Sequence, residues 1–280
     1  MPPITIKSGG ALNFKRAFFF PGKIISPAGG SPFTNEYSVD FDGTDDYFAA
    51  TPDSDTNVET FSIWFKSPNS FASDGNAVDA EVLFGWGNSS HRWGLAVGGG
   101  MIGAMDSSLI YVRHTNGGAY GYTPGSVTTL AADTWHHIAT RWSTSSETNS
   151  GSNGYDIWVN GTKITGSEAT SNGTMDSSPA QISATSGFTF AKRSNLNITY
   201  TYEGLIDEVA IWSSALSEAD VTALYNSGVP SDLTDLSPTH WYRMGDNDGS
   251  TGTTITDQGS GENDGTLTNG PTFSTDVPSA

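Results

Sequence analysis

Tyr37-Ser-Val-Asp-Phe-Asp-Gly-Thr-Asp-Asp-Tyr-Phe48 sets Tyr37, Val39 and Phe41 in alternation with Ser38, Asp40 and Asp42, breaks at Gly43-Thr44-Asp45-Asp46, and resumes with Tyr47 and Phe48. Period-two alternation ended by a Gly and Asp cluster is the pattern of a half-buried strand entering a turn. The unit recurs outward along the chain, in Phe61-Ser-Ile-Trp-Phe-Lys66, Val82-Leu-Phe84, Leu109-Ile-Tyr-Val112, Trp135 to Trp142 and Tyr155-Asp-Ile-Trp-Val159. Asn160-Gly161 then supplies the two positive-φ residues of a type I′ hairpin that returns through Thr162-Lys163-Ile164. One helix is predicted over 217–227, with Ser217 as cap, Asp220 three residues on, and Val221, Leu224 and Tyr225 on one face. Gly228 and Pro230 stop it. Residues 246–280 are rich in Gly, Asp, Asn and Thr and read either as a looped tail or as strands tied down by turns.

Composition agrees with many strands and many turns. The 280 residues include 33 Gly, well above the usual share of about 7%. The net charge of −18 opposes sequence-independent binding of nucleic acid, which needs cations against phosphates. Cysteine is absent, so stability must come from the core, a metal or assembly. Phe18-Phe19-Phe20 is too short an apolar run for a secretory signal, and no run approaches the roughly 20 residues of a membrane span.

Charge is distributed unevenly. Residues 1–35 hold Lys7, Lys15, Arg16 and Lys23 with no carboxylate, leaving −22 for the remainder. Their Pro and Gly content prevents a long helix, yet Phe14, Phe18, Phe19, Phe20, Ile24 and Ile25 are too apolar for a solvated tail. Two readings stay open: an arm folded on its own sandwich, or a docking arm in which Lys15, Arg16, Phe18, Phe19, Phe20 and Lys23 engage a partner. The expected organisation is therefore an arm at 1–35, a sandwich at 36–245 and a C-terminal segment at 246–280 that can complete it.

Four pieces taken in order resemble the laminin G-like branch of the concanavalin A-like lectin and glucanase superfamily. They are Val39-Asp-Phe-Asp-Gly-Thr-Asp-Asp-Tyr47, Phe61-Ser-Ile-Trp-Phe65, Trp135-His-His-Ile-Ala139 with Tyr155-Asp-Ile-Trp-Val-Asn-Gly161, and Tyr202-Glu-Gly-Leu-Ile-Asp-Glu-Val-Ala-Ile-Trp212 running into Ala215-Leu216-Ser217. The resemblance implies an all-β, two-sheet antiparallel jelly-roll sandwich with one short helix and an extended N-terminal arm. A segment like His240-Trp-Tyr-Arg-Met-Gly-Asp246 usually precedes the Phe-Asp-Gly strand in such domains, and here it follows the helix, a permuted placement. Permuted chains of this kind are similar to structural proteins of marine bacteriophages. That implies a virion location, as capsid decoration or head fibre, with other virion proteins as partners and an oligomeric assembly. A tail-fibre protein recognising host glycans, or a bacterial carbohydrate-binding module at the cell surface, is the alternative.

The residues give no catalytic set. Glucanases of the superfamily alternate carboxylates along one strand to flank a sugar bond, but Glu203, Asp207 and Glu208 lack that spacing. None of His91, His114, His136, His137 and His240 lies in a metal-protease or nucleophile-elbow pattern. No enzyme activity is expected. Period-two counting puts Asp207 on the face of Leu205, Val209 and Ile211, where a carboxylate needs donors or a cation. Superfamily members often bind calcium, so the resemblance implies a structural Ca²⁺ site from Asp207, Asp42 and the Gly43 carbonyl, while turn amides are the metal-free alternative. Trp86 and Trp93, flanked by Gly and Ser, and then Tyr120 and Tyr122, are the aromatic residues expected at a loop rim for stacking on a glycan.

Overall fold

A computed structural model describes residues 33–72, 81–87, 92–98, 110–115, 119–122, 129–146, 152–164, 169–172, 178–192 and 201–279. Residues 1–32 form a separate unit outside these, so Lys15, Arg16, Phe18, Phe19, Phe20 and Lys23 lie outside the described residues. The described part is all-β, with two large antiparallel sheets and the single short α-helix Glu218–Ala223.

The first sheet runs, in spatial order, Thr162–Lys163, Ser152–Val159, His136–Ser146, Thr60–Lys66, Glu203–Trp212, Ser38–Asp42 and Thr272–Ser274, with His240–Tyr242 also paired to Glu203–Trp212. The second runs Ala169–Asn172, Ala119–Tyr122, Ile110–Thr115, Arg92–Val97, Glu81–Gly87, Phe188–Phe190, Tyr47–Ala50, Gly265–Thr268 and Thr254–Ile255. Alternate residues of the central strands of both sheets point inward and meet in one core, where Phe61 lies 4.6 Å from Phe84 and Phe48 lies 4.8 Å from Tyr242 across the gap between sheets. Each large side chain fully buried this way contributes roughly 1.5–3 kcal/mol.

Local chemistry sets the edges of the elements. Asn160 and Gly161 take φ of 48° and 73°, joining partners Val159 and Thr162 through a two-residue turn. A Cβ on Gly161 would press the Tyr225 ring at 3.0 Å. Ser217 Oγ accepts from the Asp220 N–H at 3.1 Å and starts the helix, which is shorter than 217–227 because Asn226 and Ser227 turn left-handed at φ 41° and 60°.

The C-terminal residues supply strands to both sheets, Gly265–Thr268 beside Tyr47–Ala50 and Thr272–Ser274 beside Ser38–Asp42. Asp257 orders the segment that leads into them. Its carboxylate accepts from the N–H groups of Trp241, Gly259 and Asn263 and pairs with His240 Nδ1 at 2.7 Å. Buried acceptors supplement the few apolar anchors of this stretch, Ile255 and Leu267.

One strand departs from the period-two reading. Opposite Thr60–Lys66, Asp207 faces Trp64 and Ala210 faces Ser62, so Glu208 and Val209 share the place of one residue in a β-bulge, with Glu208 at φ 44°. The bulge reverses the count. Ile206, Val209 and Ile211 face the core, and Asp207 does not share the Val209 and Ile211 face.

The bulge sits where the strand changes neighbours along one edge, from Ser38–Asp42 at Glu203–Ile206 to His240–Tyr242 at Val209–Ile211. Into that seam come three buried or half-buried carboxylates and one guanidinium. Arg243 Nε donates to Glu208 Oε1 at 2.8 Å, Trp241 Nε1 donates to Glu208 Oε2 at 2.6 Å, and Arg243 also reaches Asp246 and the Thr34 carbonyl. Asp207 accepts from the Asn35 amide and the Glu208 N–H, each at 2.8 Å. Phe33 stacks on Trp241 and lies under Arg243, so residues 33–35, assigned to the arm by charge, are part of the sandwich.

Burial, then Glu208, pushes Asp207 well above the usual carboxylate range, and burial raises Glu208 to about 7 against the pull of Arg243. A carboxyl raised on folding takes up a proton, so its contribution to stability is complete below its unfolded value and falls as pH rises toward the folded one. Replacing Arg243 with Met should cost about 3–5 kcal/mol because Glu208 is left buried and unpaired. In urea unfolding the loss should be larger at mildly alkaline than at mildly acidic pH; an equal loss at both would remove the ion pair as its cause. A second substitution, Gly265→Ala, puts a Cβ 1.9 Å from Phe48 and should cost about 3 kcal/mol by overpacking. An unchanged midpoint would show that the C-terminal strand is not packed on the core.

Candidate functional site

Among the described residues, the outer face of the first sheet is covered over one half only. There Trp158, Trp212 and Trp241 pack against Val221, Leu224 and Leu233, and the Trp212 indole N–H donates to the Leu236 carbonyl at 3.0 Å. Tyr225 stacks on Trp64, and beneath them His137 Nε2 and Ser62 Oγ share a hydrogen bond of 2.8 Å. Burial holds His137 down at about 3, so it stays neutral, and its complete enclosure makes the Ser62–His137 pair structural.

The other half is open and carries a groove of about 560 Å³. Strand alternation builds it: Val39 and Phe41 fill the core, which turns Asp40 and Asp42 outward, and the neighbouring strand adds Glu203 and Leu205 by direct register. Asp133, Lys66, Ser274 and Asp276 complete the polar lining, with Pro68 beside them. Lys66 Nζ lies 2.6 Å from Asp276 Oδ2, and the Trp135 indole N–H donates to Asp276 Oδ1 at 2.9 Å. The Asp276 carbonyl accepts from Ser38 Oγ at 2.7 Å, so the chain after Ser274 straps across this face.

Glu81 fixes one wall from behind. Its carboxylate accepts from Ser67 Oγ at 3.1 Å and Asn69 Nδ2 at 2.7 Å, holding the turn that presents Pro68. Burial is the main cause that pushes Glu81 up to about 7.

The residues singled out by sequence are placed as follows. Asp42 and Gly43 stand at Glu203, three register positions from Ile206, so the strand pairing does not bring them to Asp207. Both Asp207 oxygens already have nitrogen donors. Among the described residues, those that could hold a hard cation are Asp42, Asp45 and Asp46, whose carboxylate oxygens lie within 4.8 Å of one another. Asp42 Oδ1 accepts from the N–H groups of Thr44 and Asp45, which lowers its pKa. Trp86 and Trp93 are direct register partners on adjacent strands of the second sheet, with Phe188 also opposite Trp86. Tyr120 pairs with Val112 and Tyr122 with Ile110 on the strands beyond. The side chains of these four aromatics lie outside the described residues.

Sequence reading missed Glu81, Lys66, Asp276 and the Glu208–Arg243 pair. One signal was available for the last. Arg243 is the only Lys or Arg after Arg193, in a stretch dense with carboxylates.

Residues 42–222 match the family profile described as the concanavalin A-like lectin/glucanases superfamily. Among solved structures, a Bacteroides ovatus protein assigned to carbohydrate binding is similar at 18% identity and a TM-score of 0.59, over 89% of this chain and 62% of that one. This chain thus spans less than two thirds of that protein. The heptameric SAP-like pentraxin of Limulus polyphemus matches at 12% identity and a TM-score of 0.43, over 68% of this chain and 82% of its own. The CBM40 of the Ruminococcus gnavus IT-sialidase matches at 12% identity and a TM-score of 0.37, over 69% and 99%. No curated protein matches the sequence. The chain belongs to the concanavalin A-like lectin/glucanase superfamily.

Proposed function

We propose that the chain is a lectin-like module that binds carbohydrate in the open groove of its first sheet and does not turn it over. The groove carries the reading. Its carboxylates accept hydrogen bonds from sugar hydroxyls, and Leu205 and Pro68 offer apolar surface to the C–H faces of the rings. The carbohydrate-binding assignment of the Bacteroides ovatus protein of similar fold supports the ligand class. Against turnover, Glu203 is exposed at the groove while Asp207 and Glu208 are buried at the bulge and committed to protein donors, so these carboxylates do not flank one bond.

A virion location is the second element of the proposal. It is supported by the sequence alone: a cationic, aromatic arm ahead of an acidic body, and the likeness of permuted laminin G-like chains to phage structural proteins. Since residues 33–35 belong to the sandwich, the arm to remove is 1–32. Deleting it should leave the far-ultraviolet circular dichroism and melting temperature unchanged while the protein disappears from purified particles. An unfolded truncation would make the arm part of the sandwich, and a truncated protein still on the particle would assign attachment elsewhere.

For the groove, calorimetry against an oligosaccharide panel, paired with a reducing-end assay, should give binding without release of new ends. Ser274→Trp, which fills the groove from an edge strand, should abolish that binding at an unchanged melting temperature. Full binding by the variant would move the site elsewhere. New reducing ends that depend on Glu203 would make the protein an enzyme.

A further inference from the structure

Resting on the carbohydrate reading above, we propose that the groove selects a cationic sugar, an oligosaccharide bearing free amino groups. The groove is defined by its volume of about 560 Å³ and by its place on the uncovered half of the sheet, and its charge then chooses among sugars. Among the described residues Lys66 is the only cation in its lining, and Asp276 neutralises it at 2.6 Å while accepting a second hydrogen bond from Trp135. That leaves Asp40, Asp42, Asp133 and Glu203, none of which is in an ion pair among the described residues.

Asp40 and Asp42 are two residues apart on one strand, and Glu203 is the direct register partner of Asp42. A ligand ammonium brings these carboxylates the positive charge that the described lining lacks, while donating up to three charge-assisted hydrogen bonds. A uronic or sialic acid brings another negative charge to an acidic lining and is repelled by it. A neutral or N-acetylated sugar has only hydroxyl and amide donors to offer, so replacing an amine by an acetamide removes the charge and leaves the ring unchanged. Leu205 and Pro68 give the sugar ring an apolar seat that a bare polyamine would not use.

The test compares four probes by calorimetry at mildly acidic pH and low salt: a β-1,4-linked glucosamine oligomer, its N-acetylated counterpart, an oligouronate of similar length, and spermidine. The glucosamine oligomer should bind about tenfold more tightly than the acetylated one, and added salt should shrink the difference. The Asp40→Asn, Glu203→Gln double variant, both positions exposed, should bind the two alike with an unchanged melting temperature. Asp42 stays in place because it holds the turn at Thr44. Equal or tighter binding of the acetylated oligomer or the oligouronate would overturn the charge selection and leave the carbohydrate reading standing. Spermidine equalling the glucosamine oligomer would reduce the groove to simple cation capture, and a preference surviving in the double variant would place its origin outside these carboxylates. Binding of none of the three sugars and of no member of the oligosaccharide panel above would overturn both readings.

Discussion

A strand in the middle of a sheet must satisfy hydrogen-bonding groups along both edges, and Glu203–Trp212 does so with three partners rather than two. Thr60–Lys66 runs along one edge. The other is shared between Ser38–Asp42 and His240–Tyr242, which approach from opposite ends and leave a seam at Asp207 and Glu208. Backbone groups at such a seam lose the ladder, and burial without partners is costly. The bulge, the carboxylates of Asp207 and Asp246, and Arg243 take over that work, binding residues 33–36 to residues 241–246. The entry and exit of the sandwich are thus joined by a buried ionic cluster whose protonation is set mainly by its enclosure.

The same strand divides the outer face. Beyond the bulge its outward residues Ala210 and Trp212 are roofed by the helix and the turns that follow it. Before the bulge Leu205 and Glu203 open onto the groove. A single face therefore serves as a second small core at one end and as a binding surface at the other. The bulge marks the border. Covering the first half also explains why Thr60–Lys66 is almost wholly buried on both sides, with Ser62 and Trp64 as enclosed as Phe61 and Ile63.

Much of this was legible in the residues. Alternation in Ser38–Asp42, the Asn160-Gly161 turn and the Ser217 cap depend on local chemistry, and each formed at its place. Asp207 was legible as a carboxylate in need of donors, yet its face was not, because one inserted residue inverts a period-two count and nothing local in Ile206-Asp-Glu-Val209 announces the insertion. The groove was hidden for a related reason. Asp40, Lys66, Glu203 and Asp276 come from four distant parts of the chain, and only strand order brings them together. The C-terminal stretch left both a looped tail and strands open because its apolar anchors Ile255, Leu267 and Phe273 are too widely spaced to form a readable period, and Asp257 with turn amides holds much of the rest.

The pairing of Ser38 with Ser274 has a mechanical side. The two strands are antiparallel and the chain leaves the ladder at the same end on both, toward Phe33 on one and toward Asp276 on the other. Tension drawn between the two ends would load this ladder as a zipper, one pair at a time, rather than in shear across all pairs together. The first resistance would come from the strap of Asp276 to Lys66, Trp135 and Ser38, which lies beyond the last pair. A side-chain clasp therefore shields a junction that would otherwise peel pair by pair.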